Sequence, residues 1–207
     1  MKAGSDRELV YVVDDDEAFR DSLRWLLESA GYRVVAFGSA ADFLQRYRAD
    51  AGTCLVLDVR MPDSSGLELQ QELNRRGATL PIVFVTGHGD VAMAVKALKS
   101  GAFDFIEKPF KDEALLALIE KAAAAHAAAR MRDAARQSTA ARLATLTQRE
   151  REILDRVIAG ERNKGIAEEL GISVKTVEIH RSRVMEKMGA ESLAALVKMV
   201  APPGGTG

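Results

Sequence analysis

Cysteine, proline and tryptophan are scarce in this chain of 207 residues, which has one, five and one of them. A single cysteine, Cys54, leaves no internal disulfide to hold the fold. Its position in an apolar run reads as a buried structural thiol. No apolar stretch approaches the roughly 20 residues needed to span a bilayer, and Met1-Lys2-Ala3-Gly4-Ser5-Asp6 has no apolar core of a signal peptide. A cytoplasmic location without membrane attachment is therefore expected. Strong charge of one sign is missing as well: 29 basic residues face 30 acidic ones, so net charge alone does not announce nucleic-acid binding. The chain is of ordinary globular composition and long enough for one domain of average size and one small one.

The near-neutral total hides a division. Residues 1–110 carry 13 Lys and Arg against 17 Asp and Glu, residues 111–141 carry 5 against 4, and residues 142–207 carry 11 against 9. The front is acidic and the back weakly basic.

In the front part, five short β-rich runs each lead into a helical pattern. Leu9 to Val13 ends on Asp14-Asp15-Asp16 and precedes Phe19, Leu23, Leu26 and Leu27 at helical spacing, with Gly31 as the stop. Arg33 to Phe37 is followed by Ser39 as a helix cap. The third run, Leu55-Val56-Leu57-Asp58, is apolar enough to be buried on both faces and ends on a carboxylate; its helix spans about Gly66 to Arg75. Pro81 to Thr86 leads to a helix with Val91, Val95 and Leu98 on one side, and Ala102 to Ile106 leads through Lys108 to a helix with Leu115, Leu118, Ile119 and Ala122 as core stripe. Five such cycles predict a doubly wound α/β domain with a parallel five-stranded sheet. The carboxyl ends of strands 1, 3, 4 and 5 then bring Asp14, Asp15, Asp58, Thr86 and Lys108 to one crevice.

Gathered carboxylates repel, so one is protonated or a hard cation neutralises them, and an all-oxygen site suits Mg²⁺. With a lysine and a hydroxyl beside them, Asp58 is placed to attack a phosphoryl group, giving an aspartyl phosphate. Plainer readings exist for each residue: a solvated cap for the aspartates, a surface lysine at 108, an end-of-strand cap at Thr86. His88 and His126 read as surface residues, and Trp25 lies off the stripe of its helix.

Val13-Asp14-Asp15-Asp16, Leu57-Asp58-Val59-Arg60-Met61-Pro62, Val85-Thr86-Gly87-His88-Gly89-Asp90 and Glu107-Lys108-Pro109-Phe110 together resemble the receiver domain of two-component response regulators, in order and in spacing. The wording from Thr86 to Val91 is most similar to the FixJ type. The resemblance implies a flavodoxin-like receiver with Asp58 as phosphoacceptor. It implies Mg²⁺ held by Asp15, Asp58 and the backbone carbonyl of Arg60, with Asp14 acting mainly through water. Thr86 and Lys108 would contact the phosphoryl oxygens. Phe105 falls at the family's aromatic switch position, often a tyrosine, so any hydroxyl-dependent part of the switch is absent.

From Asp112 onward the fifth helix meets neither Gly nor Pro before the second domain, and its alanines have high helix propensity. A helical connector to about Arg136 is predicted, roughly 37 Å at 1.5 Å per residue; a flexible tether is the alternative. The expected boundaries are 1–122 for the first domain, 123–141 for the connector, 142–201 for the second domain and 202–207 for a disordered tail.

In the second domain, Thr147 and Glu150 form a capping box ahead of Ile153, Leu154, Val157 and Ile158. Asn163 is predicted to cap Lys164 to Leu170, Gly171 to make a tight turn, and Ser173 to cap Val174 to Met188. Helix, glycine turn, helix is the arrangement that enters a DNA groove. Val177, Val184 and Met188 should pack on Ile166 and Leu170, leaving Lys175, Glu178, Arg181, Ser182 and Met185 outward. Lys175 and Arg181 suit phosphates or guanine edges, Glu178 suits cytosine, and the N–H groups of Ser173 and Thr176 suit a phosphate. On charge alone, a solvated bundle face fits equally well.

The segments Leu146-Thr147-x-Arg149-Glu150, Asn163-Lys164-x-Ile166-Ala167-x-x-Leu170-Gly171-Ile172-Ser173 and Thr176-Val177-x-x-His180 resemble the LuxR-type helix-turn-helix. That resemblance implies a small four-helix all-α domain, its last helix from Ser192 to Val200, often used for dimerisation. The candidate DNA contacts are Asn163, Lys164, Ser173, Lys175, Thr176, Glu178, His180, Arg181 and Lys187.

Together these readings imply a regulator that takes a phosphoryl group from a sensor histidine kinase onto Asp58, forms a homodimer, and binds a double-stranded operator, with RNA polymerase as a further partner and activation as the outcome. It is not expected to be an enzyme beyond catalysing its own phosphorylation and dephosphorylation. One alternative is a regulator switched by a ligand or protein without phosphate. The other is an Mg²⁺-dependent aspartyl-nucleophile phosphohydrolase, disfavoured because such enzymes usually have a second acid two residues after the nucleophile, where Arg60 stands here.

Overall fold

The computed structural model describes residues 8–49, 51–62, 64–87 and 91–200. The opening segment, His88 and the tail expected over 202–207 lie outside the described residues. The chain divides into two compact units, 1–130 and 131–207.

The first unit alternates strand and helix: β1 (Leu9–Val13), α1 (Glu17–Ser29), β2 (Arg33–Phe37), α2 (Ala40–Arg46), β3 (Cys54–Asp58), α3 (Gly66–Arg75), β4 (Ile82–Thr86), α4 (Val91–Lys99), β5 (Asp104–Glu107) and α5, which starts at Asp112. The five strands are parallel in the order β2-β1-β3-β4-β5. β1, β3 and β4 are buried along their whole length because both sheet faces are covered. Tyr11, Val13, Leu55, Leu57, Ile82 and Phe84 join Phe43, Leu69, Leu73 and Ala97 of α2, α3 and α4 on one face. Their strand neighbours Val10, Val12, Cys54, Val56, Val83 and Val85 join Leu23, Leu27, Leu115, Ile119 and Ala122 of α1 and α5 on the other. Alternate side chains of a strand point to opposite faces, so one apolar run feeds two cores. Burial pushes the Cys54 thiol up to about 12, which leaves it inert.

Two expectations change. The buried residues of α4 are Ala94 and Ala97, whereas Val95 and Leu98 are exposed; the small alanines let the helix sit close to the sheet, and the larger residues lie one step around it. The side chain of Val91 lies outside the described residues. His126 is buried, at 3% exposure, because the α5 stripe of Ile119 and Ala122 continues through Ala123 and His126 at helical spacing.

α5 runs without interruption from Asp112 to Ala144, beyond the expected end near Arg136. Nothing in that stretch stops a helix, and the next one is capped only at Thr147. The second unit adds α6 (Gln148–Ile158), α7 (Asn163–Leu170), α8 (Val174–Met188) and α9 (Leu193–Val200). Ile153, Leu154, Val157, Ile166, Val177, Val184, Met188 and Leu196 form its core, with Leu170 packed against it.

Candidate functional site

The parallel sheet places the carboxyl ends of β1, β3, β4 and β5 along one edge, and the acids stand there. Asp14 is 2% exposed and Asp58 8%. Two nearly buried carboxylates need a positive partner, and the long side chain of Lys108 reaches both: its Nζ lies 3.0 Å from Asp14 Oδ2 and 3.0 Å from Asp58 Oδ1. The remaining oxygens accept backbone bonds, Asp14 Oδ1 from Asp16 N–H at 2.9 Å and Asp58 Oδ2 from Arg60 N–H at 2.6 Å. Thr86 is buried at the end of β4, and its Oγ1 donates to the Gly87 carbonyl at 3.1 Å. Lys108 is tied to that strand through its own N–H, which donates to the Thr86 carbonyl at 2.8 Å.

Burial raises the pKa of Asp58; Lys108 opposes this by hydrogen bond and charge, and the Asp14 carboxylate adds to it. Burial alone lowers that of Lys108, yet its hydrogen bonds to Asp14 and Asp58 outweigh burial and hold it above its ordinary value. The crevice thus sets two carboxylates against one ammonium.

Asp15 is exposed. Among the described residues, no three acidic, histidine or cysteine side chains stand close enough together to hold a metal ion as they are. Lys108 stands between Asp14 and Asp58 and neutralises part of their charge. Phe105 is half-buried and packs against the core that contains Ala97 of α4, as does Met93.

In the second unit, Thr147 and Glu150 form the expected capping box, and Ser173 caps α8 by accepting from Thr176 N–H at 3.0 Å. That N–H is therefore not free for a phosphate. The N-cap of α7 is Arg162 rather than Asn163; Asn163 enters the helix and its Oδ1 accepts from Arg181 at 2.8 Å. Lys164, Ser173, Lys175 and Glu178 are exposed, Thr176, His180 and Arg181 half-buried. Lys187 is engaged elsewhere, with Nζ 2.6 Å from Glu150 Oε2 and 3.2 Å from the Thr145 carbonyl. Val174 and Ile179 add exposed apolar surface to the same helix.

Comparison with known proteins decides the family. Residues 10–120 match the response regulator receiver domain, and residues 144–200 match the bacterial regulatory proteins of the luxR family. The chain is a two-component response regulator. It is similar to the transcriptional regulatory protein FixJ of Azorhizobium caulinodans, 49% identical over 195 residues that cover 92% of this chain and 90% of that protein. Among solved structures it resembles the response regulator StyR, with TM-score 0.86 and 44% identity over 94% of this chain and 98% of that one. It also resembles full-length FixJ from B. japonicum, with TM-score 0.60 and 46% identity over 93% and 95%. This response regulator is accordingly a transcription factor.

Three residues of the regulator's crevice escaped sequence reasoning. Arg20 Nη1 donates to the Asp14 and Asp15 carbonyls at 2.8 Å each and so fixes the acidic loop. A cation in the first turn of a helix opposes the helix dipole, and that mismatch was a legible signal. The Phe19 ring lies 3.7 Å from Lys108 Nζ and steadies the ammonium. Gly66 lies so near β3 that a Cβ there would collide with the Asp58 carbonyl; only the fold reveals that approach.

Proposed function

We propose that phosphoryl transfer from a sensor histidine kinase to Asp58 sets the affinity of this regulator for its operator. The observation that carries the reading is the convergence of Lys108 on Asp14 and Asp58 beside the buried hydroxyl of Thr86. An Asp58 oxygen attacks phosphorus, the phosphorus–nitrogen bond to the donor imidazole breaks, and the ring leaves with the electron pair and takes up a proton. Lys108 steadies the charge on the transferring oxygens. The all-oxygen donors and the excess of carboxylates over the single ammonium suit Mg²⁺, which would be held by Asp15, Asp58 and the Arg60 carbonyl, with Asp14 acting mainly through water. When bound, the ion supplies the neutralisation that lets Asp58 stay ionised. An open groove of about 970 Å³, lined by Phe19, Trp25, Leu26, Lys108 and Phe110, offers the kinase an apolar face that reaches the crevice at Lys108.

Phosphorylation adds close to two negative charges. Thr86 turns from the Gly87 carbonyl and Lys108 from Asp14 toward the new oxygens, Phe105 moves inward, and α4 repacks on it. Val95 and Leu98, already exposed, then meet a second copy, and two tethered DNA heads hold a two-half-site operator more tightly than one. A swing from 1:99 to 99:1 requires about 5.5 kcal/mol of differential binding, within reach of two or three charge-assisted hydrogen bonds of ~1.5–3 kcal/mol each. The regulator acts in the cytoplasm, and activation proceeds by contact with RNA polymerase.

The test is intact mass and oligomeric state with Mg²⁺ and acetyl phosphate, for the wild type and for Asp58→Asn. One added phosphoryl group, absent from the variant and accompanied by dimer, is the expected result. Modification without a change in assembly removes the dimerisation step. No modification, with operator binding intact, favours a regulator switched without phosphate.

A further inference from the structure

The C-terminal end of α8 is held from outside the helix. Gly189 adopts the left-handed conformation (φ 61°), and its N–H and that of Ala190 satisfy the carbonyls of Glu186 and Met185. The Met188 carbonyl is left to another donor, and the Arg142 guanidinium of α5 supplies it. Glycine at 189 serves this contact twice, because a Cβ there would collide with Arg142 as well as strain the backbone. One residue earlier, Lys187 donates to the Thr145 carbonyl just past α5 and to Glu150 of α6. Arg151 of α6 in turn donates to the Leu143 carbonyl at 2.6 Å, closing the set. Positive charge at a helix C-terminus is favoured by the dipole, so each of these contacts is favourable where it stands.

We propose that Arg142 is a positioning residue for DNA recognition: by fastening the end of α8 to the last turn of α5, it sets the angle at which Lys175, Glu178 and Arg181 meet base edges. The role rests on the DNA-binding reading of α8. A base contact depends on placement to a fraction of an ångström, whereas a phosphate contact tolerates a shifted helix. Loss of the clamp therefore costs specificity before it costs affinity for DNA as such.

The experiment uses the full chain, phosphorylated with acetyl phosphate and also untreated. The probes are the duplex that the wild type selects from a random 30-base-pair pool and an unselected duplex of equal length. Arg142→Gln is expected to lower affinity for the selected duplex about tenfold while affinity for the unselected duplex changes less than twofold. Arg142→Lys, which keeps a donor and the charge but not the reach of the guanidinium, recovers part of the loss and leaves at least a twofold deficit. Equal losses on both duplexes would mark Arg142 as a phosphate contact or a fold-stabilising residue and overturn the proposal, as would no loss at all in a variant with native circular dichroism. If Arg142→Gln does not fold, Arg142→Lys alone decides, a loss of twofold or more confined to the selected duplex supporting the proposal and any other result overturning it. Failure of the wild type to select any duplex would overturn the DNA reading of α8 itself, and the positioning role with it.

Discussion

Asp58 and Glu150 are both nearly buried carboxylates, and their neighbours push them in opposite directions. Burial outweighs Lys108 at Asp58, so the folded protein holds a proton there at a pH at which the unfolded chain has lost it. Folded-state stability therefore falls as pH rises from the ordinary carboxyl value of 3.8 through the raised one. Asp58→Asn, which needs no ionisation, is expected to raise the melting temperature of the N-terminal unit at pH 7 and to lose that advantage below pH 3.8, as followed by calorimetry across pH. At Glu150 the Lys187 ammonium and the Thr147 N–H hold the carboxyl at about 2 against an ordinary 4.5. Its contribution is present above pH 4.5 and is lost as pH falls toward 2. Because Lys187 is partly exposed, Lys187→Gln should cost about 1–2 kcal/mol in denaturant unfolding after allowance for screening. Unchanged stability, with a salt slope of DNA binding reduced by about one, would make Lys187 a phosphate contact instead.

At the scale of elements, helix starts and helix ends are satisfied by different side chains. In the sheet unit, Asp16, Ser39 and Ser65 cap the starts of α1, α2 and α3 with their own side chains. In the helical unit, arginines from neighbouring helices take up carbonyls at helix ends: Arg149 at Leu170, Arg142 at Met188 and Arg151 at Leu143. These contacts bind helix to helix. The loop between β3 and α3 is set by a different constraint, the close approach of Gly66 to the Asp58 carbonyl. Gly66→Ala is expected to destabilise the N-terminal unit by about 3 kcal/mol, the upper end of an overpacking penalty, and to slow phosphorylation by acetyl phosphate, because the methyl group displaces the nucleophile's own backbone. Unfolding curves and phosphorylation rates of the variant check both.

At the scale of the whole molecule, the sequence has an acidic front that carries the crevice and a weakly basic back that carries α8, and α5 runs through 33 residues. The proposed link between them is assembly. Val95→Asp with Leu98→Asp should leave the mass gain at Asp58 intact, abolish the phosphorylation-dependent dimer, and cut operator affinity of the phosphorylated chain at least tenfold. Sedimentation and DNA titration give the answer. A phosphorylated variant that still dimerises would place the interface elsewhere.

Periodicity and punctuation in the sequence determined the five strand–helix cycles, the parallel sheet, the capping box at Thr147 and the helix-turn-helix, because each rests on local spacing and on Gly, Ser and Thr at helix ends. They also determined which strand ends carry acids, a hydroxyl and a lysine. Only the tertiary structure decided what those groups touch. That Lys108 bridges Asp14 and Asp58 across 94 and 50 residues, that Arg20 pins the acidic loop, and that Lys187 pairs with Glu150 all depend on which surfaces the fold brings within hydrogen-bond reach. His126 and α4 show the same limit: α5 has little hydrophobic asymmetry to read, and α4 buries its small alanines rather than Val95 and Leu98, so which side is buried is settled by the surface each helix meets.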